Sequence, residues 1–215
     1  MKNKKWIALM WALSVVPFLL VAALWARLPE RVPTSWNFDG SVEYSGRGNL
    51  WFLAALGPGM ALLFQFLPRI DPKRDNYEKF QGMYGSFAVV MELFVLVMMG
   101  IVLTESLRPG TLNVGKLVMV MVCLLMVWLG CVLGKVKPNW FMGIRTPWAL
   151  SDPDVWNKTH RLGGWVFFLV GLGNIPVALL CPEKVCAAVF FVTLMAGCAL
   201  LYVMSYRFYK TKADK

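Results

Sequence analysis

Between Lys135 and Trp165 the chain reads KVKPNWFMGIRTPWALSDPDVWNKTHRLGGW, its only long polar, motif-like stretch between hydrophobic spans. The stretch sets Arg145, Lys158, His160 and Arg161 among Trp140, Trp148, Trp156 and Trp165. Cations interleaved with indoles suit a membrane interface, where rings sit at headgroup depth and charges face water. His160 is the one histidine of the chain, which leaves little material for a metal cluster. No Cys/His spacing resembles a zinc or haem site, so neither a metal ligand nor a cofactor is expected. No Ser or Cys nucleophile with an orienting acid joins His160 in a recognisable motif, so no catalytic residue and no enzymatic activity are expected; a site assembled only in three dimensions stays open.

Two further groups invite chemistry. Glu92 falls near the middle of a hydrophobic span, where an exposed carboxylate is expensive and an ionisable residue is a functional hypothesis by default. A role in ion movement and a structural role, protonated and buried against a polar neighbour, both stand. A proton-coupled carrier would normally offer more polar groups inside the membrane than Gln65, Asn174 and Thr193. Of the five cysteines, Cys123, Cys131 and Cys198 lie inside spans and read as small apolar packing residues. Cys181 and Cys186 flank a short turn, PEKV, as two membrane-edge thiols or as a disulfide.

The elements that must position these groups follow from composition. With 58% hydrophobic and 16% charged residues, the chain is too apolar for a soluble domain of this size. About 20 apolar residues are needed to cross a hydrocarbon core. Six segments qualify, approximately Trp6 to Ala26, Leu50 to Leu67, Gly82 to Leu103, Leu117 to Gly134, Gly164 to Leu180 and Cys186 to Met204. The expected fold is an all-α polytopic membrane protein with six transmembrane helices and a small extracellular cap between the first two. The first span is read as a retained helix, because its apolar run exceeds a signal-peptide core of roughly 7 to 15 residues. Three regions result: 1–49 (first helix and extracellular loop), 50–113 (second and third helices) and 114–215 (the last three helices with the polar stretch). Pro17, Pro58 and Pro176 should kink their helices, and Gly57, Gly59, Gly163, Gly164, Gly171 and Gly173 should permit close helix contact.

Sidedness follows from the positive-inside rule. The N-terminus, the second and fourth loops and the tail hold 16 of the 22 basic residues, leaving 6 for the alternate loops. Both termini and the 135–165 stretch are therefore expected in the cytoplasm of a multi-pass plasma-membrane protein. This distribution accounts for most of the +10 formal charge without nucleic acid, and its basic edges suit anionic lipid headgroups. No direct nucleic-acid binding is expected, since the charges are divided among short loops.

Within the polar stretch, Ser151 with Asp154 three residues later resembles a capping box, and Pro153 fits a first helical turn; a helix should start there. On it, Trp156, His160 and Gly163 or Gly164 recur at helical spacing and run on into the fifth span. Upstream, Pro138, Gly143 and Pro147 favour a folded, non-helical segment presenting Asn139, Arg145 and Thr146. A topology anchor and a functional surface are both open readings. The first loop, LPERVPTSWNFDGSVEYSGRGN, is too polar to span and rich in turn residues, predicting a compact cap with short extended pieces. It reads either as a connector held to the membrane by Trp36, Phe38 and Tyr44 or as an extracellular recognition surface.

At these residues a resemblance becomes specific. KPNWFMGIRTPW over 137–148, followed by VWNKTHRLGG over 155–164, resembles the signature of the SdpI-type immunity protein family. Leu28-Pro29 through Pro33-Thr34, then Trp36-Asn37-Phe38-Asp39-Gly40, is similar to the small module of uncharacterised function often fused ahead of it. The resemblance implies an integral-membrane protein protecting a bacterium against a secreted toxic peptide, with some relatives implicated in recruiting a cytoplasmic transcriptional repressor. On that basis Asn139, Gly143, Arg145, Thr146, Pro147, Trp148, Trp156, His160, Arg161 and Gly163 are candidates for a signature loop that binds a partner. Pro33, Trp36, Asn37, Asp39 and Gly40 are candidates for extracellular recognition. The alternatives are a ligand-sensing receptor without direct immunity and a proton-linked transporter using Glu92.

Overall fold

Where a chain enters hydrocarbon, no water meets its backbone polar groups, so the helix that pairs them internally is the favoured spanning form. The computed structural model, described here over residues 3–37 and 41–213, has six such helices: α1 (Lys4–Leu24), α2 (Leu50–Ile70), α3 (Gln81–Leu107), α4 (Val114–Leu133), α6 (Pro153–Leu180) and α7 (Glu183–Ala213). A five-residue helix, α5 (Pro147–Ser151), precedes α6. All six long helices have the length and hydropathy to cross a membrane. Their outer faces carry large bare apolar side chains such as Phe52, Leu172, Phe191 and Val192, as lipid-facing surfaces require.

The chain divides into two units, Met1–Pro68 with Tyr84–Val118, and Arg69–Met83 with Met119–Lys215. In the first, α1, α2 and α3 share a core of Val21, Leu28, Val32, Leu50, Ala54, Met99, Val102 and Leu103. The expected cap with extended pieces is an antiparallel hairpin, β1 (Arg31–Trp36) on β2 (Val42–Gly46), irregular between Pro33 and Ser35. Proline cannot donate to a ladder and is tolerated at such an irregularity. Arg47 ties the cap to the end of α1: its guanidinium donates to the Trp25 and Leu28 carbonyls and lies 4.6 Å from the Trp25 ring. Proline at 68 deprives the Phe64 carbonyl of its helical donor, and the Tyr84 hydroxyl supplies one at 2.8 Å.

In the second unit α6 lies along α4 and α7. A Cβ on Gly130 would fall 2.5 Å from the Phe168 nitrogen and one on Gly171 2.6 Å from the Cys123 carbonyl, so α4 and α6 approach backbone to backbone. Asn174 of α6 donates to Thr193 Oγ1 of α7 at 3.0 Å. Gly57, Gly163, Gly164 and Gly171 make the expected close contacts, but Gly59 and Gly173 face open space, because they lie on other faces of their helices.

Several expectations need correction. The cap of α6 is Asp152, whose Oδ1 accepts from the Asp154 and Val155 nitrogens at 2.8 and 3.1 Å. Ser151 instead ends α5, its hydroxyl turned back to the Trp148 carbonyl. The segment before it is not wholly non-helical, since Thr146 caps a turn that Pro147 opens. Cys131 and Cys198 are exposed on helix surfaces rather than packed inside, whereas Cys123 is buried. Cys181 and Cys186 are free thiols, with the Cys186 sulfur directed at the Val177 carbonyl.

Candidate functional site

Asn139 organises the polar stretch. It is fully buried and satisfied on both sides of its amide: Nδ2 donates to the Lys137 and Met142 carbonyls, and Oδ1 accepts from the Phe141 and Met142 nitrogens, all within 3.0 Å. Four bonds from one side chain close residues 137–142 into a rigid turn. The segment between α2 and α3 cradles this turn. Asp71, 2% exposed, accepts from the Trp140 nitrogen, the Tyr77 hydroxyl and the Lys73 nitrogen at 2.7 to 2.9 Å. Asn76 donates to the Pro138 carbonyl and Lys73 Nζ to the Leu150 carbonyl.

The next layer is built on α6. Trp156 and His160 lie one helical turn apart, with rings stacked at 4.0 Å, and both are fully buried. They are therefore core residues of this unit and do not sit at the lipid interface, contrary to the interfacial reading of the tryptophans. The Trp156 indole donates to the Val136 carbonyl at 2.9 Å. The Ile144 backbone N–H donates to His160 Nε2 at 3.0 Å, which leaves the ring proton on Nδ1, donating to the Trp156 carbonyl at 2.9 Å. The imidazole is thus neutral with both nitrogens occupied. Gly143 makes this approach possible: it has φ +108°, and a Cβ there would stand 2.2 Å from Nε2. Ile144 then seats its side chain over Gly163, where a Cβ would meet it at 2.3 Å.

A third set of contacts joins the stretch to α7. Thr146 accepts from the Ala149 nitrogen and shares a buried hydroxyl–hydroxyl hydrogen bond with Ser205. Trp148 packs on Tyr202 and Tyr206 with ring centres 5.0 and 5.1 Å away. Lys212 bridges Asp152 at 2.7 Å and Asp154 at 2.6 Å. The Lys212 ammonium, followed by the Val155 N–H, holds the Asp152 carboxyl below the usual carboxylate range.

The structure thereby gathers Asn139, Gly143, Thr146, Pro147, Trp148, Trp156, His160 and Gly163 into one scaffold, in which Asn139, Thr146, Trp156, His160 and Gly163 are buried, Trp148 is half-buried, and Gly143 and Pro147 reach the surface. Its exposed face carries Trp140, Phe141 and Arg145, whose guanidinium donates to the Trp140 carbonyl. Arg161 stands apart on the surface, beside a groove of about 340 Å³ bordered by Gly130, Gly134, Gly164, Trp165 and Phe168. In the cap, Pro33 is buried, and Trp36 packs partly buried on the hydrophobic core of its own unit. Asn37 donates to Ser41 Oγ at 3.1 Å and weakly to Glu43 Oε1 at 3.4 Å. Phe38, Asp39 and Gly40 lie outside the described residues. Glu92 is 1% exposed, in the first unit.

Sequence reasoning missed Asp71, Asn76, Lys73 and Ser205, which hold the scaffold from other elements. Only Asp71-Pro72 hinted at it, an acid beside a proline at the start of a mixed-charge loop. Glu105 was missed too: at the end of α3 it accepts from the Gly110 and Leu112 nitrogens and the Thr111 hydroxyl, closing the following turn.

Six helices long and apolar enough to span a membrane, with a polar scaffold built on the last of them, define a polytopic integral-membrane protein. Residues 135–207, from the polar stretch through most of α7, match the SdpI/YfhL protein family. Residues 12–58, from within α1 through the cap into α2, match a domain of unknown function (DUF1648). Together these two matches correspond to the arrangement of an SdpI-type protein with an N-terminal module of unknown function. No curated protein and no solved structure matches the chain.

Proposed function

We propose that this chain is a bacterial plasma-membrane immunity protein that protects its host against a secreted, membrane-active peptide. The reading rests on the family match over residues 135–207. The structure adds a division of labour: the signature residues are consumed in fixing a scaffold, which leaves Trp140, Phe141 and Arg145 displayed on a rigid base. In this reading the base faces the cytoplasm and presents its aromatic and guanidinium groups to a partner, a transcriptional repressor being the candidate; arginine supplies directed, multidentate contacts there. The toxic peptide is met on the outer side, by the cap and the lipid-facing helix surfaces. The protein acts by binding and catalyses no reaction.

Expression in a sensitive bacterium, challenged with the secreted peptides of the source organism, tests the proposal. Protection at matched membrane abundance supports it, and unaltered killing by every peptide removes it. Capture of a repressor by the wild type but not by Arg145→Ala supports the docking role separately. A ligand-dependent transcriptional response without any protection would favour a sensing receptor instead.

A further inference from the structure

Glu92 lies at the middle of α3, 1% exposed, and neither of its carboxyl oxygens has a hydrogen-bond partner among the described residues. It is met from α1 and α2. A Cβ on Gly57 would stand 3.2 Å from Glu92 Oε2 and 2.9 Å from the Ser14 carbonyl oxygen, so the missing side chain is what lets three helices close on the carboxyl. The neighbouring polar groups are already engaged. The fully buried Ser14 donates its hydroxyl to the Trp11 carbonyl, and Gln65 accepts from the Trp11 indole at 3.1 Å.

The other charged side chains of these helices stand at their ends: Lys4 and Lys5 on α1, Arg69 on α2 and Glu105 on α3, with Lys116 opening α4. At 1.5 Å per residue, Lys5 is about 14 Å of helix from Ser14, Arg69 about 18 Å from Gly57 and Glu105 about 20 Å from Glu92. In the cap, Arg47 is committed to the Trp25 and Leu28 carbonyls. Among the described residues, no cation of α1, α2 or α3 is therefore placed to neutralise a carboxylate at position 92. An unpaired buried charge is among the most costly states a side chain can take, whereas a neutral carboxyl fits apolar surroundings far better.

We propose that Glu92 is a proton-binding site of the N-terminal unit: it carries a proton while α1, α2 and α3 are closed around it, and releasing that proton opens the bundle to water at Ser14 and Gly57. In the release step the carboxyl O–H bond breaks, its electron pair stays on the Glu92 oxygen, and the proton passes to an entering water molecule, which becomes hydronium. The geometry points to a proton rather than calcium or magnesium, because those ions take about six to eight oxygens and the closed site offers the carboxyl and one carbonyl. The proposal stands independently of the immunity reading.

The full chain in lipid nanodiscs tests it, with Glu92→Gln as the neutral, similarly shaped control. An infrared difference spectrum between the two should show a protonated-carboxyl band at neutral pH that is lost as pH rises. Over the same range, amide hydrogen exchange along α1 around Ser14, taken as the ratio of wild type to Glu92→Gln, should rise about tenfold per pH unit until the carboxyl is fully ionised. The ratio removes the intrinsic pH dependence of exchange. Absence of the band at neutral pH overturns the proposal, as does a band that persists to the highest pH at which the fold survives. A carboxyl that titrates with a flat exchange ratio overturns the coupling to helix opening.

Discussion

Gly143 concentrates more constraint than any other residue of the scaffold, since its φ of +108° and the 2.2 Å approach of His160 Nε2 each argue against a side chain. Gly143→Ala is expected to lose on the order of 1–3 kcal/mol from backbone strain alone, with further loss as the imidazole is displaced from the Ile144 N–H. Gly173→Ala is the contrasting case. It enters open space inside a helix, where alanine is favoured by roughly 0.5–1 kcal/mol. Thermal unfolding of the two variants in one detergent should order them below and at or above the wild type; equal midpoints would remove the argument for a strained, ring-facing glycine. Asn139→Ala should rank with Gly143→Ala. It strands two nitrogens and two carbonyls inside the turn, at about 1–3 kcal/mol for each that water cannot reach. A wild-type midpoint for that variant would mean that the turn holds without its amide.

Between elements, the clasp of Lys212 on Asp152 and Asp154 joins the end of α7 to the start of α6. A lysine so near the end of the chain reads from sequence as a mobile point charge, and the structure pins it instead. Because the Asp152 carboxyl is held below its ordinary value, its contribution is complete at neutral pH and disappears as pH falls through the depressed value. Exposed ion pairs are also screened by salt. Hydrogen exchange over residues 207–212, corrected for its intrinsic pH dependence, should therefore rise under acid conditions and in high salt, and in Lys212→Ala it should be high throughout. Exchange that ignores both salt and the substitution would show the clasp to be without effect. The spans themselves were legible because hydrophobic length is a local property. The helix starts were less so: Ser151 and Asp152 are both capping residues, and only the α5 turn, opened by Pro147, decides between them. The cradle was illegible, since Asp71 and Trp140 are 69 positions apart and no periodicity links them.

For the molecule as a whole, the 16 to 6 partition of basic residues predicts both termini and the 135–160 stretch in the cytoplasm, with Asp39 and Glu183 outside. Reporter fusions at those five places test the arrangement, and a strong external signal from within 135–160 would invert it. Hydropathy made the six spans accessible from sequence, together with the turn-rich cap; the packing of Trp36 on the core of its unit was not, because it depends on how the cap folds back. The saturation of Asn139 has a consequence for how such a protein can diversify. A side chain whose every donor and acceptor is committed inward has no capacity left with which to recognise anything, so a new specificity cannot be written there. Variation has to enter through Trp140, Phe141 and Arg145, where a residue can change without untying the turn beneath it. A saturation mutagenesis scan scored on abundance and on protection separately should split the stretch accordingly: positions such as Asn139, Gly143 and His160 failing both, and the three displayed positions keeping abundance while their partner preference drifts.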